Sequence, residues 1–170
     1  MAGRLVVNGS PSHPSRSRTL AVHVLELLGG GDVLDLVDLD PAGLLALRSS
    51  PDVDAAVRRV AAASILVVAT PVYRATYTAL TKTVFDLQPR AALAGTVVIP
   101  VATGDAAEHA LAIDHGLRPL IASLGGWTTP TGIYATRADF GDDGQASAGI
   151  HASAAAAAAE ALALAGALGG

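Results

Sequence analysis

The chain has 170 residues, 51% of them hydrophobic, with a mean hydropathy of +0.47 and a formal charge of −4. That length suits one domain over residues 1–170, and the apolar content provides for a core and excludes a disordered chain. The mild negative charge and the single lysine, Lys82, argue against phosphate-driven nucleic-acid binding and a lysine-based membrane patch, while the lack of cysteine excludes disulfides, thiolate catalysis and cysteine–zinc sites. Redox chemistry would therefore need a bound cofactor. The N-terminus has no signal-peptide core and no strongly apolar run is long enough to span a bilayer, so a cytoplasmic protein is expected.

Leu5–Val7 reads as a short buried strand ending at Asn8-Gly9. A loop rich in Ser, Pro and Arg follows to Arg18, then a helix to about Leu28, stopped by Gly29-Gly30-Gly31. Val33–Leu39 suits an outer strand, and residues 40–50 a loose connection. Pro51-Asp52 starts a helix reaching about Ala63. Ile65–Ala69 is a β-branched run that breaks at Thr70-Pro71 and restarts with helical spacing at Tyr77, Leu80, Val84 and Phe85: a strand, a polar loop and a helix. Gly95–Val101 is the fourth strand, with a bulge or strand end expected at Pro100. A helix from about Ala106 to Leu124, broken or kinked at Pro119, leads to a fifth strand within Trp127–Ala135. The alanine-rich tail, Ser147–Leu168, is a terminal packed helix. This alternation predicts a parallel sheet covered on both faces, an α/β doubly wound fold with five strands in the flavodoxin-like order 2-1-3-4-5.

In such a sheet, ligands bind beyond the carboxyl ends of the strands. The first loop there, Gly9-Ser-Pro-Ser-His-Pro-Ser-Arg-Ser-Arg-Thr19, matches neither GxGxxG nor GxxxxGK[ST]. It does offer hydroxyls, helix-start N–H groups, Arg16 and Arg18, the donors that a terminal phosphate monoester needs. It also fits an ordinary helix cap, with Ser17 as the capping residue. The second loop, Thr70–Thr76, carries Tyr73 and Arg74, which suit either a flat ligand or sheet-edge packing and a solvated charge. The third, Thr103-Gly104-Asp105, would border the same space, and its glycine permits close approach. No nucleophile–base pair stands among them.

Four segments carry a family resemblance: Gly9-Ser-Pro-Ser…Ser15-Arg-Ser17, Val68-Ala-Thr-Pro-Val-Tyr-Arg-Ala-Thr-Tyr77, Leu80-Thr-Lys-Thr…Asp86-Leu87 and Leu93-Ala-Gly-Thr-Val-Val-Ile-Pro-Val-Ala-Thr-Gly104. They continue through His109–Leu120. The chain resembles the NADPH-dependent FMN reductases, particularly those serving sulfonate-utilising two-component monooxygenases. The resemblance implies a homodimer or homotetramer that passes a hydride from NADPH or NADH to FMN and releases reduced flavin to a partner such as a flavin-dependent monooxygenase. It places the FMN phosphate on Ser10, Ser15, Arg16 and Ser17. It sets the ring against Pro71, Val72, Tyr73 and Arg74, with Thr103 and Gly104 opposite. Arg74 is also a candidate for the NADPH phosphate.

Two departures stand out. Relatives usually have a second glycine where this chain has Asp105, whose carboxylate would crowd the ring or oppose reduced flavin unless it points away. The subgroup often carries an aromatic insertion linked to a π-bulge, where this chain has His115, which reads as structural or exposed ahead of flavin-adjacent or at an interface. The five histidines show no metal-ligand spacing. Other readings on the same scaffold are a flavin-bound quinone or azo reductase, a flavodoxin-type electron carrier, and a subunit without catalytic activity.

Overall fold

A computed structural model describes residues 3–169. In chain order it contains β1 (Gly3–Asn8), α1 (Arg16–Leu27), β2 (Asp32–Asp35), α2 (Pro41–Leu44), α3 (Pro51–Ala62), β3 (Ala63–Tyr73), β4 (Thr76–Tyr77), α4 (Ala79–Asp86), β5 (Val97–Gly104), α5 (Arg118–Ser123), β6 (Trp127–Thr128), β7 (Ile133–Thr136) and α6 (Ala148–Leu168). Parallel ladders order the sheet β2-β1-β3-β5, with β6 and β7 both paired to the far side of β5. These two segments share one strand position. The five positions therefore follow the flavodoxin-like order 2-1-3-4-5, and β4 is an antiparallel addition to β3.

Alternate strand residues feed two cores. Val6, Val67 and Ile99 meet Leu20 and Val24 of α1 and Ala154 and Ala157 of α6. Val7, Leu66 and Val98 meet Val60 of α3, Phe85 of α4 and Ile121 of α5. Each larger apolar side chain fully buried in this way stabilises the fold by about 1.5–3 kcal/mol relative to exposure. Helix α6 is long and apolar enough, by length and composition, to cross a membrane, which the sequence reading had not expected. In the fold its face of Ile150, Ala154, Ala157, Ala158 and Ala161 is buried against α1 and the sheet.

Four local differences from the sequence reading have physical causes. The second strand stops at Asp35, because its partner β1 ends at Asn8, and Leu36–Asp38 turns as a 3-10 segment. The loop after Ala69 is in fact strand: β3 continues to Tyr73 and folds back on β4 through Arg74-Ala75. Both of those residues have positive φ, 53° and 66°. That is the two-residue hairpin geometry usually given to Asn-Gly, so Arg-Ala gave no signal of it.

The expected irregularity at Pro100 appears in the neighbouring strand. β5 keeps unbroken register with β3, Val68 facing Pro100. The carbonyls of Thr96 and Val98 accept from Trp127 and Thr129, so even-numbered positions of β5 face the fifth strand. Pro100 therefore lacks its N–H on that side, where residues 129–132 leave the ladder between β6 and β7. Arg118 serves the detour's carbonyls, donating to Thr129 O at 2.6 Å and Pro130 O at 2.7 Å. Glu160 of α6 accepts from Thr131 N at 2.8 Å and Thr131 Oγ1 at 2.6 Å. The long helix expected from Ala106 is instead a 3-10 turn (Ala107–Ala110), a π segment (Ile113–Leu117) and α5. Pro119 lacks the N–H that would bond the His115 carbonyl in an α-helix, so the chain widens just before it.

Candidate active site

The carboxyl ends of β1, β3 and β5 open onto a cavity of about 180 Å³. Ser10, Ser15, Arg16, Pro71, Val72, Tyr73, Thr103 and Gly104 line it, together with Ser12, Pro14 and Asp105. Eight of the ten residues singled out in the sequence thus come together. Ser17 and Arg74 do not. Ser17 is buried in the first turn of α1, and Arg74 is exposed at the hairpin tip. Of the other three, Ser12 is one of the hydroxyls of the first loop and Asp105 belongs to the third loop, both expected beside this space; only the folded loop shows that Pro14 also turns inward.

The first wall is built by capping. Ser15, not Ser17, caps α1: its backbone is extended and its Oγ accepts from Arg18 N at 3.3 Å. Ser17 Oγ lies 3.0 Å from Ser15 Oγ, which fixes the capping hydroxyl from beneath. Ser10 is also buried, its N–H bonded to Asn8 Oδ1 and its Oγ accepting from Ser12 N. The two arginines of this loop part company. Arg18 Nε lies 2.9 Å from both oxygens of Asp35, which also accepts from Asn8 Nδ2. Arg16 alone lines the cavity as a cation. Hydroxyls, a helix N-terminus and one guanidinium are the donor set for a phosphate monoester.

The second wall is the β3–β4 hairpin. A buried cluster of hydroxyls ties it to the first loop. Thr78 Oγ1 donates to Gly9 O at 2.7 Å, and Thr81 Oγ1 donates to Thr70 Oγ1 at 3.0 Å, which in turn accepts from Thr78 N at 3.1 Å. Gly9 is required there, since an ideal Cβ would overlap Thr81 Oγ1. The third wall is the end of β5. A Cβ at Gly104 would overlap the Tyr134 hydroxyl, which donates to Ala106 O at 2.5 Å. Burial, with Asp105, Glu108 and Asp139 nearby, pushes the Tyr134 phenol above its usual range and keeps it neutral. These three walls offer close backbone approach, donors at one end and Pro71-Val72-Tyr73 at the other, which fits a phosphorylated planar ligand such as FMN.

Asp105 stands at the cavity mouth and does not fill the space: its side chain is 87% exposed, and its Oδ1 lies 3.7 Å from Arg16 Nη2. His115 is exposed within the π segment. Gly116 beside it packs on β4, where a Cβ would stand 3.1 Å from Thr76 Oγ1 and 3.2 Å from the Tyr77 ring. The fold also joins histidines that sequence spacing kept apart. His23 Nε2 and His151 Nδ1 lie 2.9 Å from each other between α1 and α6. His13 gathers with Asp35 and Asp38, although Asp35 is already held by Arg18 and Asn8.

Comparison with known proteins agrees with this geometry. The chain is 39% identical over 136 residues to the FMN reductase (NADPH) of Escherichia coli strain K12, covering 77% of this chain and 71% of that protein. It is 37% identical over 146 residues to the NADH-dependent FMN reductase SfnF of Pseudomonas fluorescens strain Pf0-1, covering 81% and 78%. The crystal structure of the apo NADH:FMN oxidoreductase EMOB superposes with a TM-score of 0.87 at 31% identity, covering 96% of this chain and 90% of that one. The profile of the NADPH-dependent FMN reductases matches residues 4–141, and the chain belongs to that family.

Proposed function

We infer that this protein is an NAD(P)H:FMN oxidoreductase whose reduced flavin serves a partner enzyme such as a flavin-dependent monooxygenase. The observation that carries this reading is the cavity at the ends of β1, β3 and β5, with serines, a helix N-terminus and Arg16 at one side and Pro71-Val72-Tyr73 at another. Bound FMN supplies the two-electron acceptor for the hydride of a reduced nicotinamide. The chain's own part is to bind and orient. Ser10, Ser15, the first-turn N–H groups of α1 and Arg16 hold the phosphate, with Ser17 supporting Ser15 from within α1. Pro71, Val72 and Tyr73 flank the ring. Thr103 and Gly104 let backbone approach its far edge, and Arg74 at the hairpin tip meets the phosphates of the nicotinamide cofactor. No nucleophile or general base is needed, and rate comes from holding two rings at reacting distance.

The protein works in the cytoplasm as a homodimer or homotetramer. Exposed Leu45 and Leu47, close together in the chain after α2, are apolar surface that assembly would cover. Sedimentation at micromolar concentration tests it, and a monomer there would refute it. The activity itself is tested by following NADPH and NADH oxidation with and without added FMN. Oxidation that depends on FMN supports the reading. No oxidation of either nucleotide rejects it.

A further inference from the structure

The cavity lining contains one cation and one anion, Arg16 and Asp105, and they face each other at 3.7 Å. The other arginine of the phosphate loop is unavailable, because Arg18 is held by both oxygens of Asp35. The phosphate wall therefore has a single guanidinium, and the chain supplies that guanidinium with its own carboxylate. Asp105 is positioned for this by the backbone. It directly follows Gly104, the last residue of β5, and its side chain extends over the mouth into solvent. A carboxylate there acts on an incoming phosphate in two ways: from 3.7 Å it offsets the Arg16 charge, and it repels the dianion.

We propose that Asp105 is a built-in competitor of the flavin phosphate for Arg16, one that weakens FMN binding and makes the flavin a dissociable substrate instead of a resident prosthetic group. This rests on the flavin reading above and adds to it. Asp105 touches no reacting atom in this scheme; it is a positioning residue that acts through Arg16. The competition is specific to the phosphate, so riboflavin, which has the same ring and no phosphate, should not feel it.

The test is a set of dissociation constants for FMN and for riboflavin, from quenching of flavin fluorescence at low ionic strength, where exposed charges are least screened. The proteins are the wild type, Asp105→Asn, Asp105→Ser, Arg16→Gln and the Arg16→Gln/Asp105→Asn double variant. Removing one charge of an exposed pair near a phosphate is expected to tighten FMN by about 3- to 10-fold in both Asp105 variants, and to leave riboflavin within about 2-fold. In the Arg16→Gln background the gain from Asp105→Asn shrinks, because the contested partner is gone. An FMN constant unchanged in both Asp105 variants would overturn the proposal, as would equal tightening of riboflavin or a full gain without Arg16. Those outcomes leave the flavin reading standing, provided the wild type binds FMN. A wild type that binds no FMN would overturn both.

Discussion

The sharpest structural test lies where the first loop leaves β1. An ideal Cβ on Gly9 would overlap Thr81 Oγ1 and stand 2.8 Å from Thr81 Cβ and 3.0 Å from Thr81 Cα. Thr81 is fully buried near the start of α4, so no flexible side-chain end is there to yield. Gly9→Ala must push the loop and the helix apart and break the hydroxyl cluster of Thr70, Thr78 and Thr81. Overpacking costs about 1–3 kcal/mol and a buried hydroxyl left unpaired about 1–3 more, so a loss of about 2–6 kcal/mol is expected. For a chain of this length a 3 kcal/mol loss lowers Tm by about 6–12 °C. Urea unfolding followed by circular dichroism measures it, with an unchanged slope expected. Adding Thr81→Ala removes the overlapping oxygen but keeps the Cβ, so it should recover part of the loss and make the pair non-additive. A Gly9→Ala protein within about 0.5 kcal/mol of wild type would refute the reasoning, since that is the range of neutral surface changes.

Three further outcomes follow from particular contacts. Ala75 sits at φ 66° in the hairpin turn, so Ala75→Gly should stabilise the protein by about 0.5–1 kcal/mol in urea unfolding, and destabilisation would contradict the strain argument. Glu160→Ala strands the N–H and hydroxyl of Thr131, and should cost about 2–3 kcal/mol on the same measurement, with Glu160→Gln costing less. Tyr134 titrates above its unfolded range, so its contribution to stability is fully present below about pH 10 and is lost as pH rises through its folded value. Tyr134→Phe should therefore flatten the alkaline fall of the unfolding midpoint, and an unchanged alkaline slope would show that this phenol is not raised in the folded protein.

What the sequence revealed and what it hid divide along a physical line. Strand and helix order, the loops at the ligand-binding edge and eight of the ten chosen residues were legible, because they rest on local periodicity and on residue types that only a few structures tolerate. The hairpin at Arg74-Ala75 was hidden because its left-handed turn uses neither glycine nor asparagine. From sequence, the missing N–H of Pro100 points to a flaw in its own strand. Its effect falls on the strand beside it, and Arg118 and Glu160 compensate from 18 and 60 residues away. The choice of Ser15 over Ser17 as cap turned on where the helix begins, a boundary that propensity leaves loose. The pairings of Asp105 with Arg16 and of His23 with His151 join distant stretches of chain, so spacing in sequence had no bearing on them.

The proposed activity turns on the cavity at the ends of β1, β3 and β5 as the place where FMN is held for reduction by a nicotinamide. The most direct measurement is the rate of NADPH or NADH oxidation by the purified protein as FMN is titrated, repeated with Ser15→Ala. Saturating FMN-dependent oxidation is expected in the wild type, and a higher FMN requirement with little change in stability is expected in the variant, since capping serines contribute about 1 kcal/mol to the helix. Oxidation absent at every FMN concentration, or a variant whose FMN dependence matches the wild type, would contradict it.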